Sequence, residues 1–118
     1  MKIARRRLVE CAFLIPLRRD KHLSDGLPHQ RKAWQWLRQR LFDFRGATRA
    51  LELYEGWYLD PDTRQSMTDR SRRYVVALTR PELRKLRALL RQACGVFAQK
   101  CIYLSIAGIV EFVERPRK

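Results

Sequence analysis

Between Glu55 and Arg73 the chain collects acids, arginines and aromatics closely enough to build a polar pocket: Glu55, Trp57, Asp60, Asp62, Asp69, Arg70, Ser71, Arg72 and Arg73. Two carboxylates brought together can carry out acid–base work or hold a divalent cation. The run Asp60–Pro61–Asp62–Thr63 also has a turn's own chemistry, since an Asp side chain bonds backbone ahead of it while proline presets φ. Its spacing does not match a calcium loop, which alternates acids around a central glycine and ends on Glu. The residues singled out for a ligand pocket are therefore Glu55, Trp57, Asp69 and Arg72, with no metal and no cofactor implied. His22 and His29 lie in a loop that also holds Asp20 and Asp25. A His–Asp pair there can act as a general base, because histidine titrates near neutrality. No HxH or HExxH spacing gives them ligand geometry. A Gly-rich phosphate loop, a Ser nucleophile elbow and a Cys–His arrangement are all absent from the sequence.

The elements that must carry these groups follow from the apolar pattern. Leu8 to Leu17 reads as a largely buried strand closed by Pro16. Trp34, Leu37, Leu41 and Phe44 recur at helical spacing, and Gly46 supplies the C-terminal stop. Thr48 to Leu59 is the second strand, with Gly56 as a bulge candidate. A polar connection runs to about Asp69, and Arg72 to Leu78 is the third strand, forming a long hairpin with the second. Thr79–Arg80–Pro81–Glu82 has the capping-box pattern, and Leu83, Leu86, Leu90, Ala93 and Phe97 then form the stripe of a second helix. Cys101 to Val113 is the final strand, bent or broken at Gly108. This order predicts one domain over residues 1–118, with a basic tail at 1–7 and a charged tail at 114–118. The expected fold is α+β: a ferredoxin-like βαββαβ two-layer sandwich, four antiparallel strands with two helices on one face.

Strand alternation places Glu10, Glu52, Tyr54 and Tyr103 together on the helix-free face. Tyr54 and Tyr103 are thus candidates for an interface, such as a homodimer through that face. Stacked bases are the other possibility, but Glu10 and Glu52 would repel a phosphate backbone there.

The formal net charge of +14, from 26 Lys and Arg against 12 acids, is attractive to polyanions. The basic residues cluster on the second helix at Arg84, Lys85, Arg87 and Arg91, and at the N-terminus at Arg5, Arg6 and Arg7. These are the expected contacts to RNA or DNA, through phosphate neutralisation largely indifferent to sequence. The first reading is accordingly a small non-enzymatic binding module for nucleic acid or another polyanion. The alternative is a homo-oligomeric or heteromeric interaction module, and the third reading is a small enzyme or ligand binder at the 55–73 hairpin. Cys11, Cys94 and Cys101 are odd in number and lack CxxC spacing, which argues for free thiols in a reducing compartment. No stretch approaches the roughly 18 apolar residues of a membrane span, so a cytoplasmic location and no membrane partner are expected.

Several segments together resemble small uncharacterised bacterial proteins: Phe44–Arg45–Gly46–Ala47–Thr48, Glu55–Gly56–Trp57, Asp60–Pro61–Asp62–Thr63, Asp69–Arg70–Ser71–Arg72–Arg73–Tyr74 and Val96–Phe97–Ala98–Gln99–Lys100. The resemblance implies a bacterial origin and a ferredoxin-like domain. It implies no activity and assigns no catalytic residue.

Overall fold

From Cys11 onward, every second residue of the first strand, β1 (Val9–Pro16), is fully buried: Cys11, Phe13 and Ile15. That period of two is what a strand with one face on a core requires. The computed structural model describes residues 7–60 and 62–116. Helix α1 (Arg31–Leu41) follows, then β2 (Thr48–Arg49), β3 (Tyr54–Leu59) and the long β4 (Ser66–Leu78). A 3-10 turn at Arg80–Glu82 leads into α2 (Leu83–Val96), and β5 (Cys101–Ile106) and β6 (Ile109–Glu114) close the chain.

All six strands belong to one antiparallel sheet with the order β2-β4-β1-β5-β6, and β3 also pairs with β4. One face buries Cys11, Phe13 and Ile15 of β1, Tyr74, Val76 and Leu78 of β4, Ile102 and Leu104 of β5 and Val113 of β6. Both helices press their stripes on that face, α1 through Ala33, Leu37 and Leu41 and α2 through Leu86, Leu89, Leu90, Ala93 and Cys94. The start of α2 is fixed by its capping box. The Glu82 carboxylate accepts from the Thr79 N–H at 2.8 Å and its hydroxyl at 2.7 Å, and also pairs with Arg45. The Thr79 N–H, then Arg45 and the Thr79 hydroxyl, hold the Glu82 carboxyl down at about 2.

The four-stranded ferredoxin-like sandwich expected from the sequence, and implied by the resemblance, is corrected by this sheet of six strands. Two apolar stretches that read as single strands are each cut in two. The stretch from Thr48 to Leu59 leaves the ladder at 50–53 and resumes as β3. The stretch from Cys101 to Val113 reverses at Ala107 and Gly108, whose φ values of 50° and 85° are those of a tight hairpin turn. Gly56 is no bulge, because six consecutive residues of β3 pair in unbroken register with β4. The last four residues of the expected 60–69 connection are strand as well, since β4 begins at Ser66.

Candidate active site

The β3–β4 hairpin sets Glu55 beside Arg70 and Gly56 beside Asp69. A Cβ at Gly56 would lie 3.4 Å from the Asp69 carboxylate, an ordinary contact across the hairpin. Two residues along from Gly56, Tyr58 lies on the same face, and its hydroxyl donates to Asp69 Oδ2 at 3.4 Å. Burial pushes the Tyr58 hydroxyl up to about 12, with the nearby Asp69 charge adding to it. Burial also raises the Asp69 carboxyl.

The hairpin's turn supplies a second carboxylate. Asp60 is only 5% exposed, and its Oδ1 accepts the N–H groups of Asp62 at 2.8 Å and Thr63 at 3.2 Å. Those backbone donors hold its carboxyl below the ordinary range, with Lys100 and His22 adding to the effect. Its other oxygen lies 3.8 Å from His22 Nε2.

His22 belongs to the segment between β1 and α1, which is folded back as a small ladder of its own. Arg19 donates its backbone N–H to Leu27, Arg18 bridges to Pro28, and the Arg19 guanidinium forks onto Asp25 at 2.7 and 2.9 Å. That fork, with the Leu27 N–H, holds the Asp25 carboxyl at about 2. The segment is tied to the rest of the molecule at three places. Leu17 N–H donates to Arg70, Asp20 N–H donates to Ala98, and the Gln99 side chain donates to Arg18 O at 2.8 Å. Gln99 is 7% exposed and its amide nitrogen also reaches Phe97 O at 2.9 Å. Both amide hydrogens are spent on carbonyls, which leaves its oxygen as an acceptor.

Segment and hairpin enclose a cleft of about 580 Å³, the size of a small-molecule site. Asp20, Glu55, Asp60 and Asp69 line it together with Arg18, Arg19, Lys21, Arg70, His22, Tyr58, Met67 and Gln99. In a chain of net charge +14, this is a concentration of carboxylates. It can receive a cation while its guanidinium groups receive an anion. Among the described residues no group of three or more His, Cys, Asp and Glu is placed to hold a metal ion.

Of the four residues singled out for a pocket, Glu55 and Asp69 line this cleft. Trp57 does not line it and is 75% exposed. Arg72 turns to the helix side of the sheet, its guanidinium 3.9 Å from the centre of the Trp34 ring. His22 and Asp20 reach the cleft, but His29 does not. The His29 ring packs edge-on to Trp34 and Phe97, its Nε2 lies 2.7 Å from Pro16 O, and burial lowers its pKa. Tyr58 and Gln99 were not singled out from the sequence. Strand alternation alone would have put Tyr58 on the face of Gly56 and Asp69. Nothing local marks Gln99, whose burial depends on a segment far away in sequence.

Tyr54 and Tyr103 do lie on the helix-free face, but β4 and β1 separate their strands, and Tyr103 packs edge-on to Phe112. Glu52 falls in the excursion between β2 and β3, outside the sheet. On α2, Arg84, Lys85 and Arg91 are exposed, but Arg87 is engaged by Glu111 at 2.7 Å, which interrupts the expected basic face. Arg7 is exposed, and Arg5 and Arg6 lie outside the described residues. Cys11, Cys94 and Cys101 are free thiols, and burial raises the pKa of each. Among the described residues no helix is long and apolar enough to cross a membrane.

No protein-family model matches this sequence, and no curated protein matches it. Solved structures do. A phage SAM lyase in complex with S-methyl-5'-thioadenosine superposes with a TM-score of 0.68, over 92% of this chain and 91% of that one, at 16% identity. The apo state of a phage SAM lyase gives a TM-score of 0.63 over 93% and 91% of the two chains, again at 16% identity. This chain has the fold of those enzymes. The likeness corrects the expectation of a non-enzymatic nucleic-acid or polyanion module, because the solved proteins that share the fold catalyse a reaction.

Proposed function

We propose that this chain is a lyase acting on S-adenosylmethionine, releasing S-methyl-5'-thioadenosine, in the cleft between the 17–29 segment and the β3–β4 hairpin. One observation carries the reading: on a fold shared with phage SAM lyase, a strongly basic chain concentrates Asp20, Glu55, Asp60 and Asp69 around one cleft. S-adenosylmethionine carries a sulfonium, an ammonium and a carboxylate. The acids and the face of Tyr58 suit the two cations, and Arg18 and Arg70 suit the carboxylate.

The chemistry needs little from the protein beyond geometry. Breaking the bond between sulfur and the aminocarboxypropyl arm sends both electrons to sulfur and turns a sulfonium into a neutral thioether. Such a leaving group requires no general acid. A lyase draws its nucleophile from within the substrate, and the arm's own carboxylate oxygen can close on the departing carbon to give a five-membered lactone. No proton is transferred. Charges of opposite sign are annihilated in this step, so a water-poor cleft that holds the arm folded favours it. Asp60 stays ionised, held down by the Asp62 and Thr63 N–H groups, and Tyr58 stays neutral with its pKa near about 12. Asp60 thus supplies a fixed charge for the cation, and Tyr58 an uncharged wall. The three free thiols support a reducing, cytoplasmic setting.

Calorimetric titration tests the assignment of the cleft. S-methyl-5'-thioadenosine should bind saturably, one per chain, and S-adenosylmethionine should saturate the same cleft, its affinity read as the KM of the heat of turnover because the chain consumes it. Asp60→Asn keeps an oxygen for the turn's N–H groups but removes the charge. It should weaken S-adenosylmethionine by roughly tenfold, about 1.4 kcal/mol, and leave the neutral thioadenosine nearly unaffected. Equal losses for both ligands, or no binding of either, would overturn the reading.

A further inference from the structure

A second cleft, of about 550 Å³, lies on the helix side of the sheet and shares no residue with the first. Four guanidinium groups line it, from Arg31 and Arg38 on α1, Arg49 on β2 and Arg72 on β4, and no carboxylate does. None of the four belongs to any of the six ion pairs among the described residues. Four like charges around one cavity repel one another, and only salt or a bound anion relieves that.

One of the four is also held in place, and the other three are exposed around it. Arg72 is stacked on the Trp34 ring at 3.9 Å, which fixes the plane of its fork. Arg31 and Arg38 sit two helical turns apart on the same face as Trp34. At the rim, Phe42 is 64% exposed and offers an open aromatic face beside the guanidinium groups.

We propose that this cleft binds a small polyphosphate, the Arg31, Arg38, Arg49 and Arg72 guanidinium groups forking onto its phosphate oxygens. Guanidinium–phosphate forks are the pairing that several arginines without acids are suited to make. The cleft's volume is that of a small-molecule site rather than an extended groove. The phosphates can come from an inorganic chain or from a nucleotide, in which case the base would stack on Phe42. This site is independent of the lyase reading, and its test uses no turnover.

The test is calorimetric titration of the whole chain with inorganic triphosphate and, separately, with ATP at physiological salt. Saturable binding of triphosphate, one per chain, is expected. Arg38→Gln with Arg49→Gln removes two forks and should weaken it by more than roughly tenfold. Arg84→Gln with Arg91→Gln, on α2, makes the same change in net charge and should weaken it by less than about threefold. ATP binding tighter than triphosphate, with the difference lost in Phe42→Ala, identifies a nucleotide. Equal binding of the two identifies recognition of the phosphates alone. Absence of saturable binding, or equal losses in the two double variants, would overturn the proposal.

Discussion

The side chain of Gln99 ties one wall of the cleft, the 17–29 segment, to the turn that follows α2, and replacing it should loosen that wall. Gln99→Met keeps the length and most of the shape while removing the donor, so the change isolates hydrogen bonding from packing. The amide gives up its bonds to Arg18 O and Phe97 O, at 2.8 and 2.9 Å. Each bond is worth about 1 kcal/mol net, and a carbonyl left buried without a donor adds to the cost, for roughly 2–3 kcal/mol together. An unfolding entropy of about 2.1 cal/mol/K per residue, or about 0.25 kcal/mol/K for the chain, turns this into a Tm lowered by about 10 °C. Thermal or urea denaturation reads the total, and hydrogen exchange locates it. The Asp20 amide, which donates to Ala98 beside Gln99, should lose protection earlier than the amides of β1. Stability within about 0.5 kcal/mol of the parent, or unchanged exchange at Asp20, would refute the reasoning.

The capping box and the β5–β6 turn can be tested in the same way. The Glu82 carboxyl is held at about 2 against an ordinary 4.5, so its contribution is full above pH 4.5 and is lost as pH falls toward 2. Glu82→Gln should cost about 1 kcal/mol at pH 7, and urea denaturation should show this gap closing across that acid window; a gap independent of pH would count against it. At the hairpin turn, Ala107 has a φ of 50°, a conformation that costs a residue with a side chain about 1 kcal/mol. Ala107→Gly should therefore raise the Tm slightly and Gly108→Ala, at a φ of 85°, should lower it; the opposite order in a melting experiment would contradict the turn geometry.

The local signals in the sequence translated well where one element explains itself. Thr79 and Glu82 form the capping box their spacing promised, and the stripes of both helices are buried. What was illegible depended on partners distant in the chain. The first residues of β4 run past β1 and pack on no apolar core, so they lack the apolar alternation that marks a strand. The apolar run from Cys101 to Val113 hides a reversal, because Ala107–Gly108 is a weak turn signal beside so many strand-forming residues. The acids of the hairpin were visible as chemistry, but the opposite wall of the cleft was not. That wall exists because the 17–29 segment folds back onto Arg70, Ala98 and Gln99. Arg72 illustrates the same limit, as Arg70, two residues earlier on β4, lines the first cleft while Arg72 reaches α1 and lines the second.

The central claim is that this chain breaks S-adenosylmethionine at the sulfur without water. Incubating the purified chain with S-adenosylmethionine and separating the products by chromatography tests it most directly. S-methyl-5'-thioadenosine and the lactone of the arm should accumulate in equal amounts, well above the breakdown seen in buffer alone, and Asp60→Asn should slow their appearance. Loss of S-adenosylmethionine no faster than in buffer would contradict the account.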